Sequence, residues 1–571
     1  MSQHYAFEKV ARLPAAGDNT AIATSRLEAG DLVIREGVSM TLGSTVLEGH
    51  RFAIVPIAEG EPVLSWGLPF GVAIRDIAPG DYVCNAKILQ TLRERSVSVD
   101  LPDGPNFRDR LETYQLDESR FRPGTQVSRY RDARYFSGYR RPAGRGVGTR
   151  NVIVLLGITS RGAGFARALE DRVRHLADGH TNLDGIVAVT HTEGGGGTEP
   201  NNIEFLLRTL AGFMVHPNVG AVLAIDQGDE TVNHTRLRRF MEEHGYPLAA
   251  VPHYFLSLSE GFQANLANGE AIIADWVPRV AAVQRTQEPF SELKIALQCG
   301  GSDAFSGVSG NPLAAWVARE VIRYGGSANL AETDELIGAE EYVLQNVRDL
   351  PTARQFLDKI ERFRERLSWH GATAEGNPSG GNNLRGLYNI AIKSIGAAMK
   401  RDPQVRLDYV IDYAERLDQP GYYFMDSPGN DLESIAGQVA SGCNMIFFVT
   451  GNGSITNFPF VPTIKIVTTS GRYQLLEREM DVNAGAYLDG TPLDELGADT
   501  LDLTLSVASG ARSVGERAGH SQVSIWRNWQ QRDRRSLERL QHASAPAGRP
   551  LPVSTQGAVP AGVTFDGLER G

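Results

Sequence analysis

The sequence predicts an α/β protein: a small all-β unit at the front, followed by two α/β units with largely parallel sheets. Three observations predict it. Residues 1–100 are cut into short β-like runs by Gly, Pro and Asp, the punctuation of a small all-β unit. From Gly138 onward, buried-type apolar runs alternate with amphipathic helical stretches, the pattern of repeated βα units. The length, 571 residues, exceeds what one hydrophobic core organises, so several domains are expected.

Composition narrows the function classes. An apolar content of 42% with 22% charged residues is that of a globular chain. The formal net charge of −11 offers no global basic field for nucleic acid or an anionic membrane. No run of about 18 apolar residues is present, so no membrane span is expected. The first residues, Met1-Ser-Gln-His-Tyr-Ala-Phe-Glu-Lys9, lack the charged and apolar regions of a signal peptide. Three cysteines, Cys84, Cys299 and Cys443, do not make a disulfide framework. A cytoplasmic location is expected.

The runs at 21–24, 32–34, 52–57, 62–66 and 72–74 read as strands of the front unit. His50 stands beside Gly49 at the start of one run. It reads either as a ligand or base, or as a histidine satisfied in a loop. Residues 101–137 show little periodicity and read as an extended linker.

The first α/β unit spans 138–290. Asn151–Gly157, Gly185–Thr190, Val219–Ile225 and Pro247–Val251 read as strands. Helices are expected over Phe165–Leu176, Ile203–Met214, Thr235–Gly245 and Phe262–Val283. Ligands of such sheets lie at the carboxyl ends of the strands. Those ends carry Arg161, His191, Glu193, Asp229 and Glu230. This is either a rim of acids and histidine suited to a hard divalent cation or an ordinary solvated loop edge.

The second α/β unit spans 291–540. Its opening is the stretch around which the chain is organised: Cys299-Gly-Gly-Ser-Asp-Ala-Phe-Ser-Gly-Val-Ser-Gly-Asn-Pro312. An apolar strand, Leu293–Gln298, precedes it, and helical periodicity over Leu313–Tyr324 follows. A glycine-rich strand-to-helix turn exposes backbone N–H groups to an anion, or simply relieves backbone strain. This one also carries Cys299, Ser302, Asp303 and Ser306. Further along lie the polar loop Asn377–Asn383, a helix over Leu387–Met399 containing Lys393, and strands over Asn444–Gly451 and Pro462–Val467. Lys465, flanked by isoleucines, is either a base of lowered pKa or an edge-strand charge. Residues 541–571 are rich in Ala, Pro, Gly and Ser and read as a flexible tail.

These motifs, in order, resemble the altronate dehydratase and galactarate dehydratase family. The residues carrying the resemblance are Cys299–Gly307 with Asn311-Pro312, Glu332-Thr-Asp-Glu335, Asn377-Pro-Ser-Gly-Gly-Asn382, Lys393-Ser394, Met425-Asp-Ser-Pro428, Ala440-Ser-Gly442, Thr450-Gly451, Ile464-Lys465 and Met480-Asp-Val-Asn483. Gly148-Thr-Arg-Asn151 and His216-Pro-Asn218 match as well. The first hundred residues resemble the β-clip (SAF-like) domain of that family through Asp18-Asn19, Gly49-His50-Arg51 and Trp66-Gly67. The likeness covers about residues 15–535.

The resemblance implies a hydro-lyase that removes water across C2 and C3 of a sugar acid and gives a 2-keto-3-deoxy acid. It implies a divalent metal, Fe2+ first, with Mn2+ or Mg2+ as alternatives, and a homo-oligomer such as a dimer. Abstracting a proton α to a carboxylate needs a base, a stabilised enediolate and an acid for the leaving hydroxyl. Asp303, Lys465, His191 and His50 are the expected catalytic residues. Ser302, Asn377, Ser379, Asn382, Lys393, Thr450 and Arg161 are expected to hold substrate. Glu230, Glu332 and Cys299 are the expected metal ligands.

The chain also departs from the family. Arg161, Gly195 and Asp229 stand where relatives have cysteines, and Asn452 stands where they have arginine. A related lyase expelling sulfite from a 2-hydroxy acid therefore stays open. So does a non-catalytic binder of sugar acids.

Overall fold

A computed structural model describes residues 2–111 and 113–527. The tail expected over 541–571 lies outside the described residues. Each run expected as a strand in the front unit contains one. They form three small sheets, among them a four-stranded one ordered Ala11–Arg12, Thr20–Ala23, Arg51–Ala53, Tyr82–Val83. The unit extends past residue 100. Phe107–Asp109 pairs antiparallel with Leu68–Ala73, so the start of the expected linker completes a front sheet. Phe107 is the cause: it is buried edge-on to Phe70, ring centroids 5.3 Å apart. Gly71 makes room for it, since a Cβ there would lie 2.3 Å from the Phe107 ring.

Residues 113–134 then run without helix or strand along the second α/β unit. Gly124 N–H donates to Val347 O (2.7 Å) and Tyr130 N–H to Arg323 O (2.8 Å). Tyr135–Arg140 pairs antiparallel with Thr286–Pro289, which brings the entry and exit of the first α/β unit side by side.

The first α/β unit has four parallel strands: β1 (Val152–Gly157), β2 (Gly185–Val189), β3 (Val219–Asp226) and β4 (His253–Ser257), ordered β2-β1-β3-β4. The central β1 and β3 are buried along their length, which is why they read as unbroken apolar runs. The strand expected at Pro247–Val251 is a correction. Leu248–Ala250 is a 3₁₀ turn and the edge strand begins after Pro252. Pro252 has no N–H to give a ladder, and the half-buried strand beyond it is too polar to announce itself.

The second unit holds seven parallel strands: β5 (Lys294–Cys299), β6 (Ser327–Leu330), β7 (Leu407–Ile411), β8 (Gly421–Met425), β9 (Met445–Thr450), β10 (Thr463–Val467) and β11 (Val482–Asn483). Their order is β7-β8-β6-β5-β9-β10-β11. The chain starts at the centre with β5, builds one side, and returns to β9 on the other. The carboxyl ends of β5 and β9 therefore flank a topological switch point, where open α/β sheets bind ligands. After Cys299 the chain makes a turn, one π turn over Ser306–Gly310, and the helix Asn311–Arg323. A π turn is a recurrent mark of functional sites.

Two interfaces set the rim of this sheet. The helices Ile203–Val215 and Asp431–Ala440 join the two α/β units closely, with a Cβ at Gly212 falling 2.3 Å from Ala440 O. The front unit docks on the carboxyl edge of the second sheet. Gly49 and Gly386 meet backbone to backbone, with a Cβ at Gly386 falling 2.0 Å from Gly49 O. Trp66 donates Nε1–H to Gly307 O (3.2 Å). No helix among the described residues is long and apolar enough to cross a membrane.

Candidate active site

The turn after β5 buries a carboxylate. Asp303 Oδ1 accepts from Ser306 N–H (2.8 Å) and Ser306 Oγ (3.0 Å), and its Oδ2 accepts from Thr468 Oγ1 (2.8 Å). Gly451 is required beside it, since a Cβ there would sit 2.3 Å from Asp303 Cγ. Burial raises the Asp303 pKa against those hydrogen bonds, so it is a stronger base than a surface aspartate. Cys299 Sγ lies 2.9 Å from Ser302 Oγ. Burial pushes its thiol up to about 11, leaving a neutral group rather than a thiolate. Asn382 donates to Ser302 O (2.8 Å) while its Oδ1 accepts from Ser379 Oγ (2.8 Å). Ser379 and Asn382 thus cap the short helix Gly380–Leu384 and hold the turn. Thr450 Oγ1 accepts from Gly453 and Ser454 N–H and shapes the loop after β9.

Beside this turn lies a dense cluster of charges. Glu332, after β6, pairs with Lys400 at a site closed to solvent. Glu332 takes a left-handed backbone, φ 69° and ψ 67°, which costs about 1–2 kcal/mol for a non-glycine residue. Such strain persists where the surroundings dictate it, commonly at functional sites. Lys393 Nζ donates to Glu335 Oε1 and to Asn377 Oδ1, each at 2.6 Å. Asn377 in turn donates to Asp334 Oδ2 (3.2 Å). Burial opposes the charge on both lysines, yet the neighbouring glutamates win and raise each pKa. Both lysines are therefore ammonium groups at neutral pH. Burial, aided by the charge of Glu335, raises Asp334 and Asp431 to about 6. Asp431 lies against the turn itself, where a Cβ on Gly300 would fall 2.3 Å from its Oδ2.

Other expected residues land elsewhere. His50 is a correction: Nε2 meets Leu384 O (2.9 Å) and Nδ1 meets Tyr82 Oη (2.6 Å). Both ring nitrogens are used, and burial lowers the pKa to about 4. It pins the front unit to the second α/β unit as a neutral ring. His191 is a second correction, since Nε2 meets Gly157 O (2.9 Å) and Nδ1 accepts from Glu193 N–H (3.2 Å). Burial lowers it likewise to about 4. Lys465 is a third. It sits in the middle of β10 rather than at its end, with Nζ 3.0 Å from His520 Nδ1. Burial lowers its pKa to about 8, but its charged neighbours are Asp481 and Glu479, not Asp303. Arg161 pairs with Asp229 (2.8 Å), and Gly195 packs on it, a Cβ there falling 3.2 Å from Arg161 Cγ. Arg161, Gly195 and Asp229 thus come together on the first sheet and not at the turn.

The expected metal ligands do not assemble. Glu230 belongs to the first sheet, where Thr159 Oγ1 and Gln227 N–H donate to it. Cys299 and Glu332 belong to the second. Glu332 Oε1, Asp334 Oδ1 and Glu335 Oε2 are buried without hydrogen-bond partners, and they are hard donors of the kind Fe2+, Mn2+ or Mg2+ accepts. Lys400 and Lys393 already counter two of the three. Among the described residues no group of three or more His, Cys, Asp or Glu side chains is disposed to hold a metal ion. As arranged, the residues do not fit a bound cation, and no step below runs through one.

Sequence reasoning missed Asp334, Glu335, Lys400 and Asp431. One signal was available. Ile390–Ala398 is apolar or small all round except Lys393 and Ser394, and Lys400-Arg401 follows it directly. Charges closing a fully buried helix must be paired inside the protein.

What the rim offers is proton transfer beside fixed positive charge. A buried and a half-buried carboxyl, both of raised proton affinity, flank one glycine turn, and two ammonium groups belong to the cluster beside it. Three family models match the chain: the altronate/galactarate dehydratase SAF domain over 13–91, the D-galactarate dehydratase/altronate hydrolase second domain over 138–281, and the D-galactarate/altronate dehydratase C-terminal domain over 290–531. The chain is 31% identical over 517 residues to altronate dehydratase of Escherichia coli, spanning 90% of this chain and 97% of that protein. It is 27% identical to galactarate dehydratase (L-threo-forming) of the same organism, over 89% of this chain and 95% of that one. It is 28% identical to (2R)-sulfolactate sulfo-lyase subunit beta of Chromohalobacter salexigens, over 69% of this chain and 97% of that subunit. The chain belongs to the D-galactarate/altronate dehydratase family of hydro-lyases, with a SAF domain in front of its two α/β units.

Proposed function

We propose that this protein dehydrates a sugar acid, an aldonate or aldarate of the altronate and galactarate kind, to a 2-keto-3-deoxy acid. The observation that carries the reading is the pair of carboxyls, the buried Asp303 on the glycine turn and the half-buried Asp431 against it, at the switch point of the seven-stranded sheet. Asp303 takes the proton from C2, and the C–H electron pair delocalises into the carboxylate as an enediolate. Lys393 and Lys400 hold positive charge near that developing dianion. Asp431, protonated in part near neutral pH, gives its proton to the 3-hydroxyl as the C3–O bond breaks and water leaves. The resulting enol collapses to the 2-keto acid. Asn377, Ser302 and Lys393 are polar groups at the turn suited to the polyol.

The test is a 2-keto acid assay over a panel of aldonates and aldarates with the purified protein. Turnover of one acid that disappears in Asp303→Asn and Asp431→Asn supports the reading. Full activity in both variants sinks the role assignments. The family resemblance also implies Fe2+, Mn2+ or Mg2+, so metal analysis of protein purified without oxygen accompanies the assay. A cytoplasmic homodimer belongs to the same proposal, and sizing in solution checks the assembly.

A second reading is supported by the likeness to the sulfo-lyase subunit. The same enediolate can expel sulfite in place of hydroxide from a 2-hydroxy acid. Sulfite release from a sulfonated 2-hydroxy acid, without water loss from any sugar acid, would select it.

A further inference from the structure

We propose that Arg385 and Arg472 form the seat for the substrate carboxylate, and that Glu48 of the SAF domain closes that seat from above. This rests on the sugar-acid reading and adds the residues that recognise the acid. Three separate elements meet here. Arg385 follows the short helix Gly380–Leu384, and its backbone carbonyl accepts from Ala304 N–H (3.0 Å) beside Asp303. Its guanidinium donates to Gly451 O (2.9 Å), the glycine on which Asp303 rests. Arg472 lies on the helix Ser470–Leu475, a few residues past Thr468, whose hydroxyl holds Asp303. Glu48 precedes Gly49, the residue pressed onto the Arg385 backbone, a Cβ there falling 2.9 Å from Arg385 O.

The charges are close enough to act on one another yet are not joined. Glu48 responds to Asp303, Arg472 and Arg385, and burial with the Asp303 charge raises its pKa. Burial and the repulsion of Arg472 lower Arg385. Among the described residues, no hydrogen bond or ion pair engages the Glu48 carboxylate or the Arg472 guanidinium. Elsewhere in this rim the cations are paired: Lys393 with Glu335 and Lys400 with Glu332. Two half-buried guanidinium groups within electrostatic reach of one another repel unless an anion lies between them. A carboxylate is the anion whose geometry suits the planar guanidinium fork. With the acid seated there, its α-carbon faces the Asp303 side of the turn, and Glu48 can accept a hydroxyl.

The seat is tested with Arg472→Gln, Arg472→Lys and Glu48→Gln in the full chain. With the acid identified by the panel, Arg472→Gln should raise KM about tenfold to a hundredfold with a smaller change in kcat, since it removes ground-state binding of a charged group. Arg472→Lys should recover part of that loss, because charge returns without the fork. Glu48→Gln should shift KM less, and for polyhydroxy acids more than for a short 2-hydroxy acid. An Arg472→Gln KM within twofold of the parent overturns the proposal even where dehydration itself is confirmed. If no acid is turned over, thermal shift with galactarate against its uncharged alditol, galactitol, still decides. Stabilisation by the acid alone, lost in Arg472→Gln, supports the seat; equal stabilisation of both proteins, or none of the parent, overturns it.

Discussion

The two α/β units present the same kind of rim, and the rims differ in how their charges are spent. On the four-stranded sheet every strong group is satisfied. His191 uses both ring nitrogens, Glu230 accepts from Thr159 and Gln227, and Arg161 pairs with Asp229. On the seven-stranded sheet carboxylate oxygens are buried without donors, two carboxyls stand near pKa 6, and Glu332 sits in a left-handed backbone. Strand ends of a doubly wound sheet are thus a location for chemistry and not a sign of it. What separates the two rims is unfinished pairing, which costs stability and is the state that the proposed chemistry requires of its rim.

The comparison can be broken in several ways. The largest effect should come from Asp303→Asn. Turnover should fall about a thousandfold while the melting temperature moves by a few degrees at most; the corresponding His191→Gln change on the other rim should leave kcat within about twofold and cost stability instead. Next, Lys400→Met should destabilise by about 3–5 kcal/mol in urea unfolding, because it strands Glu332 as an unpaired buried charge. Adding Glu332→Gln should restore most of that. A cost below about 1 kcal/mol for the single change would mean the pair is solvated like a surface one.

A pH series sharpens the contrast further, because the two rims respond with opposite sign. Asp334 and Asp431 lie near 6 when folded against 3.8 for the free group. The folded chain holds extra protons between those values. Their contribution is therefore complete below 3.8 and is lost as pH rises through 6, amounting to about 2–3 kcal/mol for each. Asp431→Asn should flatten that loss and raise stability at pH 7.5, while removing activity. On the four-stranded sheet His191, near 4 when folded against 6.5, stabilises above 6.5 and loses that as pH falls through 4. Thermal melts from pH 4 to 8 on each variant separate the two. The smallest effect should be Arg161→Ala. Its pair with Asp229 is substantially exposed, so a change within about 0.5 kcal/mol and an unaltered KM are expected. A clear rise in KM would move the substrate to the first rim.

Much of the fold was legible because buried parallel strands are unbroken apolar runs: β1, β3, β5 and β9 all stand out in the chain. The edge strand β4 did not, since its residues are half solvated and a proline breaks the run before it. At the site, the turn carrying Cys299, Ser302 and Asp303 was readable from glycine spacing. Glu332, Asn377 and Lys393 came from the resemblance. Asp431, Arg385 and Arg472 were not readable, because their meaning depends on partners more than 60, and in places more than 300, residues away that only the fold brings near. The histidines misled for a related reason. A histidine at a strand end looks the same in sequence whether its second nitrogen is free or, as with His50 and His191, taken by a backbone or tyrosine partner.

The pairing of Tyr135–Arg140 with Thr286–Pro289 has a consequence for how such a chain can be remodelled. Because its way in and its way out lie side by side, the first α/β unit is topologically a cassette, inserted between the linker and the seven-stranded sheet. Segments with adjacent ends tolerate replacement well. A substitute must present a small-residue helix face, as Gly212 does to Ala440, and replace the buried polar contacts that Thr149, Arg150, His216 and Asn218 make to the second unit.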